Sequence, residues 1–340
     1  KNDLFRAMNQ KGYHESAPFS KWEDFRTEAM HLIAQFGGQI KYGHLEVGNF
    51  SLGEFDYEQN EIEFLPVDVE EAAEQLLIAK WIIRSLAYKY GVTVTFAPKI
   101  TADKAGSGMH IHTQLVKDGK NMMTENGKLS DHARKAIAGY LSLAPSLTAF
   151  GNTNPTSYFR LVPHQEAPTT VCWGDRNRSV LVRVPLGWSG NSDMLAKANP
   201  AEELTDEDFS SKQTVEFRCP DGSANIYLLL AGLTVAARHG LEMANALEYA
   251  NETYVDINIF SEDHKEKIKG LQTLPVSCWD SATMLKKQAD IYKQYGVFSD
   301  VMIEGTVKHL RSFNDHDFRI KLKDNREAML ALVQEHFHCG

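Results

Sequence analysis

The sequence predicts an α+β fold, a set of short strands covered by long helices. Three observations carry this expectation. Period-two alternation marks strands at 39–47, 59–65 and 109–116, and Asp118-Gly119 after the last of these is a strong hairpin turn. A 3.6-residue period runs through 69–90 and stops at Gly91. An apolar helical pattern covers 227–249, and the remainder is mostly helical and charged, ending in the tail HFHCG.

In chain order, residues 1–19 show no period and read as an irregular lead-in. Ser20-Lys21-Trp22-Glu23 has capping-box spacing. Phe25, Ala29, Leu32, Ile33 and Phe36 follow at helical spacing until Gly37-Gly38. The 39–47 strand puts Tyr42, His44 and Glu46 on one face. A glycine- and aromatic-rich insert fills 48–57. The 59–65 strand then separates Glu61 and Glu63 from Ile62 and Phe64. Strands are expected at 92–97 and at 109–116, the latter with His110, His112 and Gln114 on one face. A helix over 130–150 is interrupted at Pro145. Residues 157–185 read as loop, strand, tight turn (GDRN) and strand. A long polar loop spans 186–211, a strand at 214–219 aligns Glu216 with Arg218, and an apolar helix covers 227–249.

The chain has 340 residues and is 43% hydrophobic, which suffices for a sizeable core. With 36 Lys+Arg against 45 Asp+Glu its net charge is −9, which argues against nucleic acid as a partner. No apolar run has the length of a membrane span, and no signal peptide is visible. Cys172, Cys219, Cys278 and Cys339 are far apart and form no C-x-x-C pair, as suits a reducing, cytoplasmic setting.

Against this acidic background, residues 157–185 hold Arg160, Arg176, Arg178 and Arg183 with a lone Glu166. Arginine forks fit carboxylate and phosphate oxygens in pairs, although charge runs are commonly solvated faces. Glu46, Glu61, His110 and Glu216 each fall on an expected strand. Three carboxylates and an imidazole make a hard donor set suited to Mg²⁺ or Mn²⁺. A lone strand glutamate is usually solvated, a lone histidine is more often hydrogen-bonded than ligating, and spacing over 170 residues does not decide between these readings. Metals plus an arginine cluster are what phosphoryl transfer requires. No P-loop, kinase or dinucleotide motif is present. Gly106-Ser107-Gly108 could let backbone amides approach an anion closely, but alone it is only a turn.

The motifs resemble the catalytic domain of the glutamine synthetase family. They are Gly106-Ser107-Gly108-Met109-His110-Ile111-His112, Ser157-Tyr158-Phe159-Arg160-Leu161-Val162-Pro163, Glu166-Ala167-Pro168, Arg176-Asn177-Arg178-Ser179 with Arg183 and Pro185, Val215-Glu216-Phe217-Arg218 with Pro220-Asp221, and Ala224-Asn225. Weaker matches are Gly12-Tyr13, Glu46-Val47 and Gln59-Asn60-Glu61. The resemblance implies a curved, mostly antiparallel sheet backed by helices, as in glutamine synthetase and guanido kinase-like catalytic domains. It implies one such domain over 1–340, with the family's small N-terminal β-grasp domain and its acidic strand not represented. It also implies ATP-dependent ligation of ammonia to glutamate, with a larger amine as the alternative acceptor, in a ring-shaped homo-oligomer. A non-catalytic structural relative is the third expectation.

By the same resemblance, Glu46, Glu61 and His110 are metal ligands and Glu216 ligates a nucleotide-side metal. Arg160 and Arg218 clamp glutamate, with Gly106 lending backbone. Arg178 and Arg183 bind the transferred phosphoryl, and His112 meets nucleotide. Glu166 is the flap carboxylate, and Tyr13 and Glu46 border the ammonium pocket. Departures are also visible. Ala105 stands where the family usually has asparagine, Gln114 replaces a serine, Thr214 replaces an arginine, and Phe260 falls near a modified tyrosine of some relatives.

Overall fold

The computed structural model describes residues 4–5, 8–101, 103–163, 167–185, 198–199, 201, 209–256, 259, 269–322 and 325–340. Glu166, Phe260 and most of the expected 186–211 loop lie outside these residues.

Helix α1 (Glu23–Gln35) starts where expected, but Ser20 does not cap it. The Glu58 carboxylate accepts the Lys21 and Trp22 amides at 2.7 and 3.1 Å, together with the Ser20 hydroxyl. The helix start is therefore satisfied from the far end of the insert. Strand β1 (Ile40–Leu45) pairs antiparallel with β4 (Asn60–Phe64), which places His44 opposite Glu61. Between them the insert folds into its own hairpin, β2 (Phe50–Leu52) and β3 (Phe55–Tyr57), closed by stacked Phe50 and Tyr57 rings.

Helix α2 (Val69–Tyr90) ends at Gly91, whose φ of 68° is the left-handed cap the sequence anticipates. Helices α1 and α2 cover one face of β1–β4. Ile33, Ala79 and Ile82 pack with Ile62 and Phe64, leaving Glu61 and Glu63 on the other face. The strand expected at 92–97 does not form; Val92 and Val94 pack against Phe25 and Leu86, but the segment enters no ladder.

The second sheet has four strands in the order β10 (Trp173–Asp175), β11 (Val182–Val184), β12 (Val215–Phe217) and β5 (Ile111–Thr113). Its β11–β12 and β12–β5 pairs are antiparallel, but β10 and β11 are parallel. The GDRN segment is thus a crossover with Arg176 at φ 53°, not a hairpin turn. Two small hairpins, β6 (Val116–Lys117) with β7 (Lys120–Asn121) and β8 (Thr124–Glu125) with β9 (Lys128–Leu129), follow β5. Asp118 and Gly119 at φ 51° and 73° make the expected turn.

Helix α3 (Asp131–Gly151) is continuous through Pro145, where an interruption was expected. Ser146 and Thr148 hydroxyls donate to the Leu143 and Pro145 carbonyls, and the helix is buried on nearly every side, so packing outweighs the lost backbone bond. The short helix α4 (Ser157–Arg160) forms where loop was expected. Helix α5 (Ile226–Glu242) breaks at Met243 before α6 (Ala246–Glu252), so the apolar 227–249 segment is two helices. Helices α7 (Cys278–Lys287), α8 (Ala289–Lys293), α9 (Asp300–Ser312), α10 (Phe318–Lys321) and α11 (Arg326–Glu335) complete the layer. The main core gathers Leu141, Leu147 and Phe150 of α3 with Phe217, Leu229, Leu233 and Leu285. A cleft of about 1350 Å³ separates β4 and α2 from β5 and α5, and Glu61, Glu63, His110 and His112 line it. Among the described residues no helix is long and apolar enough to cross a membrane.

Candidate active site

Glu216, at the centre of β12, is the organising charge of one pole of the site. Its register partner on β11 is Arg183, and β5 supplies His112 on its other side. His110 Nδ1 lies 3.1 Å from Glu216 Oε1, Arg218 Nη1 lies 3.4 Å from the same oxygen, and Arg183 Nε lies 2.7 Å from Oε2. The Arg183 contact is an ion pair without hydrogen-bond alignment, so Glu216 Oε2 keeps unmet bonding capacity although it is buried. Burial alone would push the Glu216 carboxyl up. The hydrogen bond from His110 and the guanidiniums of Arg218 and Arg183 reverse this and hold it well below the carboxylate range.

His110 is pushed down to about 4, chiefly by burial, with the Arg218 and Arg160 charges opposing the help of Glu216. It is therefore a neutral imidazole giving Nδ1–H to Glu216, with Nε2 left as a lone pair. Gly108 makes this arrangement possible. A Cβ at that position would stand 2.9 Å from His110 Nε2 and 2.3 Å from Arg160 Nη2. The glycines of 106–108 thus let a histidine and an arginine approach the backbone, where the sequence suggested an anion. His112 hydrogen-bonds through Nδ1 to Thr214 Oγ1 at 3.1 Å, and burial lowers its pKa.

Arg160 is almost fully buried. Its Nη1 donates to the Cys219 and Pro220 carbonyls at 2.8 and 3.2 Å, and its Nη2 to the Arg218 carbonyl at 3.1 Å. In this arrangement Arg160 ties α4 to the exit of β12. Arg178 is exposed, with its guanidinium 5.5 Å over the Tyr13 ring and Nη2 3.3 Å from the Tyr13 hydroxyl. The charges of Arg183, Arg160 and Arg178 all act on Arg218 and, with burial, lower its pKa. Arg160, Arg178, Arg183 and Arg218 therefore share one electrostatic neighbourhood.

The other pole lies on the β1–β4 pair. Glu61 is pushed up to about 7 by burial, by Glu46 and Glu63, and by Glu216 across the cleft. His44, Glu46 and Glu61 can place one donor atom each within 4.8 Å of one another. The expected ligands therefore fall into two groups: Glu46 and Glu61 together, and His110 with Glu216. His44 joins the first group. The sequence put it on the face of Glu46 without singling it out, and that shared face was the available signal. Excess negative charge around Glu61 fits a divalent cation. At Glu216 two guanidiniums already supply positive charge, and the unmet Oε2 is what an ion could add to.

The pattern of the family described as "Glutamine synthetase, catalytic domain" matches residues 2–325. The chain belongs to this family. It is 33% identical over 313 residues to a glutamine synthetase of Mycolicibacterium smegmatis, covering 91% of this chain and 59% of that protein. It is 30% identical over 306 residues to one of Pyrococcus abyssi, covering 90% and 62%. The chain thus spans about three fifths of the length of these relatives. In fold it is similar to a Plasmodium falciparum glutamine synthetase (TM-score 0.71, 22% identity, 94% of this chain and 65% of that one). It is also similar to GmaS solved as an ADP complex (TM-score 0.68, 22% identity, 90% and 63%). The α+β fold of the glutamine synthetase catalytic domain is the fold of this chain.

Proposed function

We propose that the protein carrying this chain is an ATP-dependent ligase that joins ammonia to the γ-carboxylate of glutamate and forms glutamine. The observation that supports this most is the meeting of Glu216 with His110, Arg183 and Arg218 opposite a second carboxylate group, in a chain whose relatives are glutamine synthetases. In this reading a γ-carboxylate oxygen of glutamate attacks the terminal phosphorus of ATP and ADP leaves. Ammonia then attacks the acyl carbon and phosphate leaves, carrying one oxygen of the original carboxylate.

Glu46 and Glu61 would hold one Mg²⁺ or Mn²⁺, and His110 and Glu216 would border a second. Ions held there would supply positive charge to offset that of the phosphate oxygens. Arg183 and Arg178 would bind the transferred phosphoryl group, Arg178 from an exposed position over the Tyr13 ring. Arg218 would bind a substrate carboxylate. The role of Arg160 would be to fix Arg218, through the carbonyl it bonds, as much as to touch glutamate. His112 would meet nucleotide, Gly106 the amino-acid end of glutamate, and Tyr13 and Glu46 the ammonium. Glu166 would take the ammonium proton and exclude water from the acyl phosphate. A ring-shaped homo-oligomer and a cytoplasmic setting belong to the same proposal.

The test is isotopic. Glutamate labelled with ¹⁸O in its γ-carboxylate, with ATP, Mg²⁺ and ammonium, should pass one labelled oxygen to inorganic phosphate and yield glutamine. Glutamine without label in phosphate would overturn the activation step, and no ammonium-dependent product at all would overturn the ligase reading. A second reading, a larger amine as acceptor, is favoured by the β2–β3 hairpin: its Phe55, Asp56 and Tyr57 line the same cleft as Glu61.

A further inference from the structure

We propose that Gln10 and Gln59 form a clamp that positions the backbone of residues 105–107 for glutamate. The inference rests on the ligase reading, in which Gly106 meets the amino-acid end of that substrate, and adds two positioning residues to it.

Among the described residues between Pro98 and His110 none belongs to a strand or helix, so the place of this segment is set by bonds from elsewhere. Nearby residues supply part of them. The Ser107 amide donates to the Pro98 carbonyl at 3.0 Å, and Lys99 Nζ donates to the Lys104 carbonyl. A Cβ on Gly106 would stand 2.6 Å from the Pro98 oxygen and 3.0 Å from Arg160 Cγ, so the backbone here lies against both. The remaining bonds come from two glutamines distant in sequence. The Ala105 amide donates to Gln10 Oε1 at 2.7 Å. Gln59 Nε2 donates to the Gly106 carbonyl and to the Ser107 hydroxyl oxygen, both at 3.1 Å. Gln59 Oε1 accepts the Gly48 amide at 3.0 Å. A backbone N–H only donates and a carbonyl only accepts, so the Gln59 amide can sit one way round and both its hydrogens go to the loop.

Both glutamines are themselves held. The Gln10 amide donates to the Asn49 carbonyl at 2.8 Å, and Gln10 has φ 58°, a left-handed conformation uncommon for a residue with a Cβ. Such a conformation persists where its surroundings fix it, and it recurs at ligand clamps. Four residues on, the His14 amide donates to the Leu45 carbonyl at 2.9 Å, so this segment runs along the end of β1. The Gln59 carbonyl accepts the Glu46 amide at 2.8 Å. The two glutamines thus stand on the segments that carry Tyr13 and Glu46, and the wall bordering the amine also holds the loop for glutamate. Gln59 takes one lone pair of the Gly106 carbonyl and leaves the other. Of the two charged groups at the amino-acid end of glutamate, only the ammonium can meet a carbonyl.

Amide exchange and steady-state kinetics on the full chain test the clamp together. In the unsubstituted protein the Ala105 amide should exchange about tenfold or more slowly than in a free chain. Gln10→Met keeps the length but loses the oxygen acceptor. It should remove that protection and raise the glutamate KM about fivefold, with kcat at saturating glutamate within about twofold. Gln10→Glu keeps an acceptor for the Ala105 amide and should restore both. Gln59→Met loses two bonds to the loop and should raise the glutamate KM about tenfold or more. A merely structural role would lower the unfolding midpoint and scale kcat with the folded fraction, leaving the glutamate KM in place. That pattern would overturn the inference, as would Gln10→Glu behaving like Gln10→Met. An unprotected Ala105 amide in the unsubstituted protein would overturn it with no variant needed. Oxygen transfer from glutamate to phosphate with Ala105 unprotected would break the clamp and leave the ligase reading standing. Ala105 protection that follows the side chain at position 10, in a protein that transfers no oxygen, would do the reverse.

Discussion

Glu216 and Glu61 are the same side chain on two facing pieces of sheet, in opposite charge environments. Glu216 is enclosed by Arg183, Arg218 and a hydrogen bond from His110, and stays ionised despite burial. Glu61 faces Glu46 and Glu63 and is pushed up to about 7. One pole carries its own counter-cations as guanidiniums; on the other Lys41 pairs with Glu63 at 2.6 Å, and Glu61 is left beside Glu46. Arginine balances the carboxylate on the β11–β12 side, while on the β1–β4 side Glu61 is raised by its carboxylate neighbours.

The comparison breaks most sharply if Glu216 is removed. Glu216→Ala leaves Arg183 and Arg218 without their shared anion in a buried place. Breaking such a group by deleting one partner should cost about 3–5 kcal/mol. Urea unfolding should show this as a large drop in midpoint. A loss under about 1 kcal/mol would mean that water or the arginines themselves rearrange, and that the pole is not a tight unit.

Arg160→Lys should cost less, about 1–3 kcal/mol, because an ammonium cannot bond the Cys219, Pro220 and Arg218 carbonyls together. The same urea series measures it. Near-unchanged stability with lost turnover would make Arg160 a substrate group; equal loss in both would make it a tie for Arg218.

The opposite pole is sharpened by pH. The folded Glu61 carboxyl, at about 7, binds its proton more tightly than the unfolded chain does at 4.5. The folded state therefore holds more protons between those values. Stability from this group falls as pH rises from about 4.5 to about 7. Glu61→Gln should flatten that part of the stability profile, and a divalent cation should flatten it in the unsubstituted chain. A profile that rises with pH and ignores Glu61→Gln would show the carboxylate to be compensated already. Glu216 acts with the other sign, since its contribution is present above the unfolded value and lost only in strong acid.

Local signals made part of this legible. The cap at Gly91, the turn at Asp118-Gly119 and the alternation of Glu61 with Ile62 are each set by a few adjacent residues, and each stands where the sequence put it. What was not legible is set at a distance. The parallel pairing of Trp173 with Val182 depends on the crossover from Asp175 onward, not on the turn residues. Pro145 is tolerated because α3 is surrounded by α5 and α7. The cap of α1 comes from Glu58, 35 residues beyond the helix's first residue, Glu23. In the site, Glu46, Glu61, His110 and Glu216 could be picked from residue type and motif. Their division into an arginine-held pair and an acid-rich pair could not, because charge balance depends on neighbours from four strands.

The smallest expected effect concerns the hairpin beside the acid-rich pole. Phe55 is 70% exposed and packs into no core cluster, whereas Phe50 and Tyr57 close the hairpin by stacking at 4.9 Å. Phe55→Ser should therefore move stability by no more than about 0.5 kcal/mol. Its place on the cleft wall next to Asp56, Tyr57 and Glu61 gives it a separate readout. An exposed ring at the mouth of a site bordered by carboxylates offers an apolar surface to an alkylated ammonium that plain ammonium cannot use. If the hairpin selects the acceptor, Phe55→Ser should change the ratio of methylamine to ammonium use by about threefold or more, while thermal unfolding stays in place. An unchanged ratio would assign the hairpin to the support of α1 through Glu58 and leave the choice of amine to Tyr13 and Glu46.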